Sequence, residues 1–324
     1  MYSIKRLFNP EIYQGKYKTD NYFEGWYFKL VDKESNNILA IIPGVSVTGR
    51  DKHAFIQFID ANSGFTGYSK FDTKEFIYSE SEFDVYIGEN HFNRFGLTVD
   101  FTGEHLRVKG EINFSNIVPF PKTFLNPGIM GPFSFIPFME CHHGIIHIHC
   151  DLQGYLVYNG RKIDFTGGYG YLEKDWGNSF PKSWIWLQSN HFEKQNSTVM
   201  FSIASIPWLN TEFNGLISFL RTEDEFFRFA TYTGAKVKKL SFEEDRLQIL
   251  IKDSLHILEM DVNNSRGGSL KAPKKGRMDV EITETITSSV EVCLYDIRGK
   301  KLFQGMGRNT GLEMAGDFNR FITR

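Results

Sequence analysis

The chain has 324 residues, of which 41% are hydrophobic and 23% are charged, and these proportions predict a water-soluble globular protein of one or two domains. The formal net charge of −2 provides no field that would draw the protein to nucleic acid or to an anionic membrane. Three cysteines are too few for a disulfide framework, and no apolar run approaches the roughly 18 residues of a membrane span, so we expect a reduced, cytoplasmic protein without an integral membrane segment.

The chain is rich in aromatic residues, with 31 Phe, 14 Tyr and 5 Trp. Aromatic and β-branched side chains fit the half-buried surface of a sheet. Short runs of such residues recur along the chain between Gly, Asn and Asp, whereas long amphipathic helical patterns are hard to find. This spacing predicts an all-β protein built from antiparallel barrels or sandwiches.

The first motif is NYFEGWYFKLVD, from Asn21 to Asp32. Because alternate side chains of a strand share a face, Glu24, Trp26 and Phe28 should all point toward the core. Burial disfavours the ionised form of a carboxyl group and raises its pKa, so Glu24 could serve as a proton donor. The alternative is a structural glutamate that accepts hydrogen bonds from backbone amides or pairs with an arginine.

A proline-rich segment, residues 117–138, reads IVPFPKTFLNPGIMGPFSFIPF and holds five of the ten prolines. Proline cannot donate to a strand ladder, so the segment is not a central strand, and it is too apolar for a solvated linker. We expect a long loop packed over a hydrophobic surface. It would serve either as a lid or as a plain crossover that covers the core.

The second motif, residues 139–151, reads MECHHGIIHIHCD. As one uninterrupted strand it would place Glu140 and His142 on an apolar face, at the mouth of a cavity. The opposite face would carry three histidines: His143, His147 and His149. Histidines two positions apart can bind zinc from a strand, but the remaining ligands are not evident, so hydrogen-bonded histidines are favoured over a metal site.

The third motif, residues 167–192, reads GGYGYLEKDWGNSFPKSWIWLQSNHF. A glycine-rich strand should lead into an acidic turn at residues 173–177, with a new strand from Trp184. One face of that strand would carry Trp184, Trp186, Gln188, Asn190 and Phe192. Such a face is typical of a pocket wall, with rings that contact a carbocation and amides that orient a hydroxyl group. The alternative is that these side chains fill the interface between two sheets.

A last segment, residues 263–277, reads NNSRGGSLKAPKKGR and contains five basic residues but no acidic one. The glycines favour a solvated connection between strands. A basic patch for an anionic ligand is the alternative.

These motifs carry a family resemblance. The strings FEGWYFK, PFSFIPFMECHHG and GGYGYLEKDWGNSFPKSWIWLQSNHF resemble the tocopherol cyclase family, as do GGSLKAP, GRMDVEITET and GMGRNTGLEMAGD, so that the resemblance runs from about Asn9 to Asp317. It implies two lipocalin-like antiparallel β-barrel or sandwich domains in tandem, related in architecture to carotenoid hydratases of the hydroxyneurosporene synthase type. We place the domains at residues 1–182 and 183–324.

The resemblance also implies a reaction. In the plant enzymes a prenylated hydroquinone closes to a chromanol ring without a redox cofactor or a metal. Such chemistry needs an acid held neutral by a dry environment, aromatic faces beside the carbocation, and the exclusion of water. The predicted catalytic residues are Glu24, Glu140, Asp175, its partner Glu173, and His142 as proton acceptor. The predicted substrate-binding residues are Trp26, His53 (an alternative proton acceptor), Trp176, Trp184, Trp186, Gln188 and Asn190.

Besides a metal hydrolase built on His143, His147 and His149, two functions remain open. The first is an enzyme that cyclises or hydrates a prenyl double bond on a hydrophobic quinol-type substrate, with transient membrane contact during substrate uptake. The second is a lipocalin-type carrier that binds an isoprenoid ligand without transforming it, since fold alone does not decide function. The feature that distinguishes them is an acid side chain facing the ligand.

Overall fold

The computed structural model describes residues 2–194, 196–209 and 211–322. Two compact units can be distinguished. The N-terminal unit extends to Phe180 and also takes in Leu270–Glu281, whereas the C-terminal unit comprises Pro181–Ser269 and the chain from Ile282 onward. The N-terminal unit is therefore discontinuous in sequence. The division of the chain after residue 182 stays a prediction.

The first sheet has twelve strands among the described residues. They are β1 (Tyr22–Val31), β2 (Ile38–Val47), β3 (His53–Asp60), β4 (Phe65–Phe71), β5 (Phe76–Tyr78), β6 (Asp84–Ile87), β7 (Asn90–Asn93), β8 (Gly96–Gly103), β9 (Leu106–Pro119), β10 (Cys141–Tyr158), β11 (Arg161–Asp164) and β12 (Tyr169–Gly177). Their order is β4-β3-β2-β1-β12-β10-β9-β8-β7-β6-β5, with β11 paired to β10. Because β4 also contacts β8, the sheet curls into a nearly closed barrel.

The second sheet has eleven strands within the described ranges. They are β13 (Trp184–Ser189), β14 (His191–Phe192), β15 (Thr198–Trp208), β16 (Thr211–Arg221), β17 (Phe226–Ala230), β18 (Lys236–Glu243), β19 (Arg246–Lys252), β20 (His256–Asn263), β21 (Gly268–Lys274), β22 (Arg277–Asp296) and β23 (Lys301–Ala315). The order is β17-β16-β15-β13-β23-β22-β20-β19-β18, with β14 paired to β23 and β21 to β22.

Helices are few and short. They are α1 (Tyr2–Leu7) and the 3-10 turns Thr73–Glu75, Gly131–Phe135, Thr231–Thr233 and Phe318–Phe321. None of the helices in the described part of the chain has the length and apolar character needed to cross a membrane. The predicted all-β fold class is confirmed, because antiparallel strands make up both units.

Alternation along the strands builds each core. On β1 the side chains of Trp26, Phe28 and Leu30 point into the barrel of the N-terminal unit and are fully buried, as predicted. In the C-terminal unit the side chains of Ile185 and Leu187 of β13 are buried in that unit's own core. Removing these side chains from water provides the main favourable term in folding.

Three local predictions need correction. The acidic turn expected at residues 173–177 is the end of strand β12. The uninterrupted alternation expected for β10 is wrong, because register shifts between Ile145 and His147 and between His147 and Cys150 break it. The solvated connection expected at residues 263–277 contains strand β21, whose Leu270 and Ala272 are buried.

The proline-rich segment packs as expected over an apolar surface. Phe120, Ile129 and Met130 are buried. Its function as a lid stays a prediction.

Candidate functional site

Strand pairing in the N-terminal unit brings together residues from all three motifs. In the register of β1, β12 and β10, Glu24 lies opposite Trp176, which lies opposite His142. Trp26 lies opposite Lys174 on the same face. The structure therefore assembles several of the predicted site residues within one row of the sheet.

Glu24 sits in a fully occupied network. Its carboxylate forms an ion pair with Lys174, and both side chains are fully buried. It also accepts hydrogen bonds from the backbone N–H of Gln14, at 2.9 and 3.0 Å, and from the hydroxyl of Tyr22. A buried carboxylate with a cation and several donors around it fits the structural alternative for this residue. A catalytic role for Glu24 stays a prediction.

Lys174 was not foreseen as a site residue. Its ammonium group lies 4.6 Å from the ring centroid of Trp26 and 5.0 Å from that of Trp176. It donates to the carbonyl oxygens of Pro10 and Ile12, each at 2.7 Å. The two indoles that we expected to face a carbocation thus face a protein ammonium group. Alternation on β12 could have revealed this, because it places Lys174 on the apolar face.

His142 has the chemistry of a proton acceptor. Its ring stacks on Trp176 at 5.2 Å with an interplanar angle of 8°. Burial, with a smaller contribution from the positive charge of Lys18, lowers the pKa of His142 to about 4. The imidazole is therefore neutral at neutral pH and has a nitrogen lone pair available for a proton. Its role in turnover stays a prediction.

Two other predicted residues lie elsewhere in the same unit. The Nδ1 atom of His53 lies 2.8 Å from the carbonyl oxygen of Asp51, and its Nε2 atom lies 2.7 Å from the hydroxyl of Tyr68. Burial lowers the pKa of His53. Glu140 is half-buried just before β10, and its backbone carbonyl accepts a hydrogen bond of 2.8 Å from the N–H of Asn178.

The opposite face of β12 carries the other two predicted carboxylates. The Nδ1 atom of His143 lies 2.9 Å from Asp175 Oδ1, and its Nε2 atom lies 3.4 Å from Glu173 Oε2. Tyr171 donates a hydrogen bond of 2.6 Å to Glu173. Burial alone lowers the pKa of His143, but the two carboxylates and their hydrogen bonds outweigh it and raise that pKa well above the usual range.

This cluster changes the metal hypothesis. His143 groups with Glu173 and Asp175, and their ligand atoms lie within 4.8 Å of one another. His147 and His149, which we considered as its zinc partners, are not part of this group. One imidazole and two carboxylates could ligate a divalent cation, but each imidazole nitrogen here faces a carboxylate oxygen. In this arrangement the two carboxylates favour the protonated form of the His143 imidazole.

The predicted pocket wall lies in the C-terminal unit. Four of its five predicted members are buried, namely Trp184, Trp186, Gln188 and Asn190, and Phe192 is half-buried. Ile185 and Leu187 of the same strand point into the core of the unit, so the tryptophans face the other side of the sheet. The alternation that we predicted is confirmed from Trp184 to Gln188, but the predicted position of Phe192 on the same face is wrong, because Phe192 packs against the core that contains Ile185 and Leu187.

Two glutamates accompany these tryptophans. Trp186 lies opposite Glu313 on β23, which lies opposite Glu284 on β22. The indole N–H of Trp184 donates a hydrogen bond of 2.7 Å to Glu313. Sequence reasoning missed both carboxylates, although the strings GRMDVEITET and GMGRNTGLEMAGD contain them. One face of this sheet therefore carries two carboxyl groups together with indole rings.

Known proteins share both sequence and fold with this chain. The tocopherol cyclase-like family model matches residues 107–316. The tocopherol cyclase of Zea mays is 25% identical over 142 residues, which are 42% of this chain and 30% of the relative. A probable tocopherol cyclase of Oryza sativa subsp. japonica is 24% identical over 191 residues, 56% of this chain and 40% of the relative. The matches thus span less than half the length of these two chloroplastic relatives.

Solved structures extend the likeness to almost the whole chain. A protein from Nitrosomonas europaea described as AttH has a TM-score of 0.55 at 13% identity and covers 91% of this chain and 92% of its own. CghA with Sch210972 has a TM-score of 0.56 at 10% identity, covering 91% and 89%. Kievitone hydratase from Nectria haematococca has a TM-score of 0.52 at 12% identity, covering 90% and 89%.

At such low identity the structural likeness shows the fold alone. It agrees with the two lipocalin-like β units described above. The family model matches nearly two thirds of the residues. This protein therefore belongs to the tocopherol cyclase-like family.

Proposed function

We propose that this protein is an enzyme that starts the cyclisation or hydration of a prenyl double bond by protonating it, on a hydrophobic prenylated quinol-type substrate. Membership of the tocopherol cyclase-like family supports an enzyme of the cyclase or hydratase type. The structural observation that carries the proposal is the contact between Trp184 and Glu313 beside Trp186. It combines an acidic group with indole faces on one buried surface.

The reaction explains why such a surface is useful. Protonation of a trisubstituted alkene produces a tertiary carbocation, which an indole face stabilises without forming a bond. A phenol oxygen of the substrate then attacks the cation, and a base takes the phenolic proton. Gln188 lies two positions along β13 from Trp186 on the same face, where its amide can orient that oxygen.

Isotope incorporation tests the proposed function. The purified protein is incubated in D2O with prenylated hydroquinones of increasing chain length and with a polyene. We expect a cyclised product with one carbon-bound deuterium, or a hydrated product that has also gained water, both identified by mass spectrometry. Reactions without protein provide the control.

The same assay distinguishes an enzyme from a carrier. A carrier would bind the quinol, as shown by quenching of tryptophan fluorescence, and release it unchanged. Tight binding without product from any of these substrates would contradict the enzymatic function.

Substrate uptake occurs by transient contact of the proline-rich segment with a lipid surface. The exposed fractions of Phe124, Leu125 and Phe138 are 81%, 68% and 64%. Residues 117–138 contain one basic residue, Lys122, and no acidic one. Apolar side chains without neighbouring negative charge can enter a bilayer interface.

Serine at both Phe124 and Leu125 should lower binding to phosphatidylcholine vesicles. Burial of each of these side chains is worth roughly 1.5–3 kcal/mol, so we expect at least about a tenfold lower partition coefficient. Vesicle flotation measures the bound fraction. Leu255→Ser serves as the control, because Leu255 is also exposed but lies in the C-terminal unit. Equal loss in both variants, or no loss in the double variant, would contradict the proposed contact.

A further inference from the structure

We infer that Glu284 is the proton donor of the reaction and that Glu313 is the negatively charged neighbour that keeps it protonated. This inference rests on the proposed function and assigns its catalytic acid. Neither residue was among the acids predicted from the sequence, which were Glu24, Glu140, Glu173 and Asp175. Strand register, burial and hydrogen bonding in the C-terminal unit support the assignment.

Strand register places the two carboxyl groups side by side. Glu284 of β22 and Glu313 of β23 are direct partners in an antiparallel pair. Directly opposite residues point to the same face, with Cβ atoms about 4.5–5.5 Å apart. Two carboxyl groups this close disfavour the simultaneous ionisation of both, as in other enzymes that use a pair of acids.

Their surroundings differ in a way that divides the roles. Glu284 is 1% exposed, whereas Glu313 is half-buried. Glu313 also accepts the hydrogen bond from the indole N–H of Trp184, and a donor of this kind stabilises the carboxylate. Burial beside that carboxylate favours the neutral form of Glu284. The two glutamates therefore share a single proton, which resides on Glu284.

An indole shares the sheet face of this carboxyl pair. An added Cβ at Gly311 would lie 2.6 Å from the ring of Trp186 and 3.6 Å from Ile286, so the absence of a side chain there lets the indole lie close against β23. Trp186 is also the register partner of Glu313. Glu313 therefore lies between Glu284 and Trp186, so the carboxyl pair and the ring that would stabilise a cation share one face of three neighbouring strands.

The proton and electron changes balance without an oxidant or a reductant. The O–H bond of Glu284 breaks as the alkene π electrons form a new C–H bond, which leaves a tertiary cation on the substrate and a carboxylate on Glu284. The phenol oxygen then forms the C–O bond and loses its proton, which returns to Glu284. In a hydration, water supplies the oxygen and the returning proton.

Glutamine at position 284 tests the assignment in the turnover assay. We expect Glu284→Gln to lose about 10²–10⁴-fold in rate, together with deuterium incorporation, while quenching of tryptophan fluorescence by the prenylated hydroquinone persists. Glu281→Gln on the same strand is the matched control, because Glu281 is exposed, and it should retain the normal rate. Unchanged turnover in Glu284→Gln would overturn the inference while leaving the proposed function intact.

Infrared spectroscopy tests the protonation state without turnover. The difference spectrum between the unmodified protein and Glu284→Gln at neutral pH should show the carbonyl stretch of a neutral carboxylic acid. That band should be weaker in Glu313→Gln and unchanged in Glu281→Gln. If no band depends on Glu284, the inference is overturned. This measurement needs no turnover, so it tests the inference even if the unmodified protein converts no substrate and the proposed function fails.

Discussion

Replacing Lys174 with methionine is expected to lower the free energy of unfolding of the N-terminal unit by about 3–5 kcal/mol, because it leaves the Glu24 carboxylate buried without its cation. The ammonium group of Lys174 also contacts the indoles of Trp26 and Trp176. Those contacts would be replaced by weaker apolar ones. Urea unfolding followed by tryptophan fluorescence measures the loss.

A double-mutant cycle isolates the ion pair. Glu24→Gln alone should also destabilise the unit, but the double variant Glu24→Gln with Lys174→Met should be more stable than the sum of the single effects predicts. Arg246→Met breaks the exposed pair with Asp261 and should leave the unfolding free energy nearly unchanged. If Lys174→Met proved as stable as Arg246→Met, the buried ion pair would not stabilise this unit, and the prediction would be wrong.

The same variants address the catalytic prediction for Glu24. If folded Glu24→Gln retains turnover at low temperature, the residue is structural. If it binds ligand and remains folded but loses turnover, Glu24 acts in catalysis as the sequence suggested. The two results are distinguishable because folding is measured independently.

Raising the pH from about 6.5 to about 9 is expected to destabilise the unmodified protein more than the His143→Gln variant. The pKa of His143 is raised in the folded state by Asp175 and Glu173. A raised folded pKa contributes stability that is fully present below the ordinary pKa of histidine and is lost as the pH rises through the folded pKa. The stability of the unmodified protein should therefore fall across this range.

Tyr171 and Cys141 do not titrate within the same range. Burial raises the pKa of Tyr171 and of the Cys141 thiol well above their usual values. Burial lowers the pKa of Lys174 to about 8, which lies within the range, but Lys174 is present in both proteins and so does not contribute to the difference between them. The substitution itself should cost about 1–3 kcal/mol at neutral pH, because it removes partners from two poorly exposed carboxylates. Urea unfolding of both proteins at several pH values measures the two slopes. Parallel slopes would contradict the assignment of the effect to His143.

Periodicity made a large part of the structure predictable. Strand alternation is a local property of the chain, so Trp26 and Phe28 could be assigned to the core, and the two faces of β13 could be separated, before any tertiary structure was known. The irregularities in β10 were not predictable in this way, because a bulge depends on the pairing of neighbouring strands.

Composition and strand alternation are properties of neighbouring residues, so they predicted the all-β class and the aromatic faces, while the resemblance of the motifs predicted the family. Which charges meet depends instead on the tertiary structure. Glu24 finds Lys174 and Glu284 finds Glu313 through strand register, and register joins residues that are far apart in the chain. For that reason the sequence predicted that the chemistry needs an acid, but it did not predict the neighbours of each acid. Strand pairing places Glu284 beside another carboxyl group and Glu24 beside a cation.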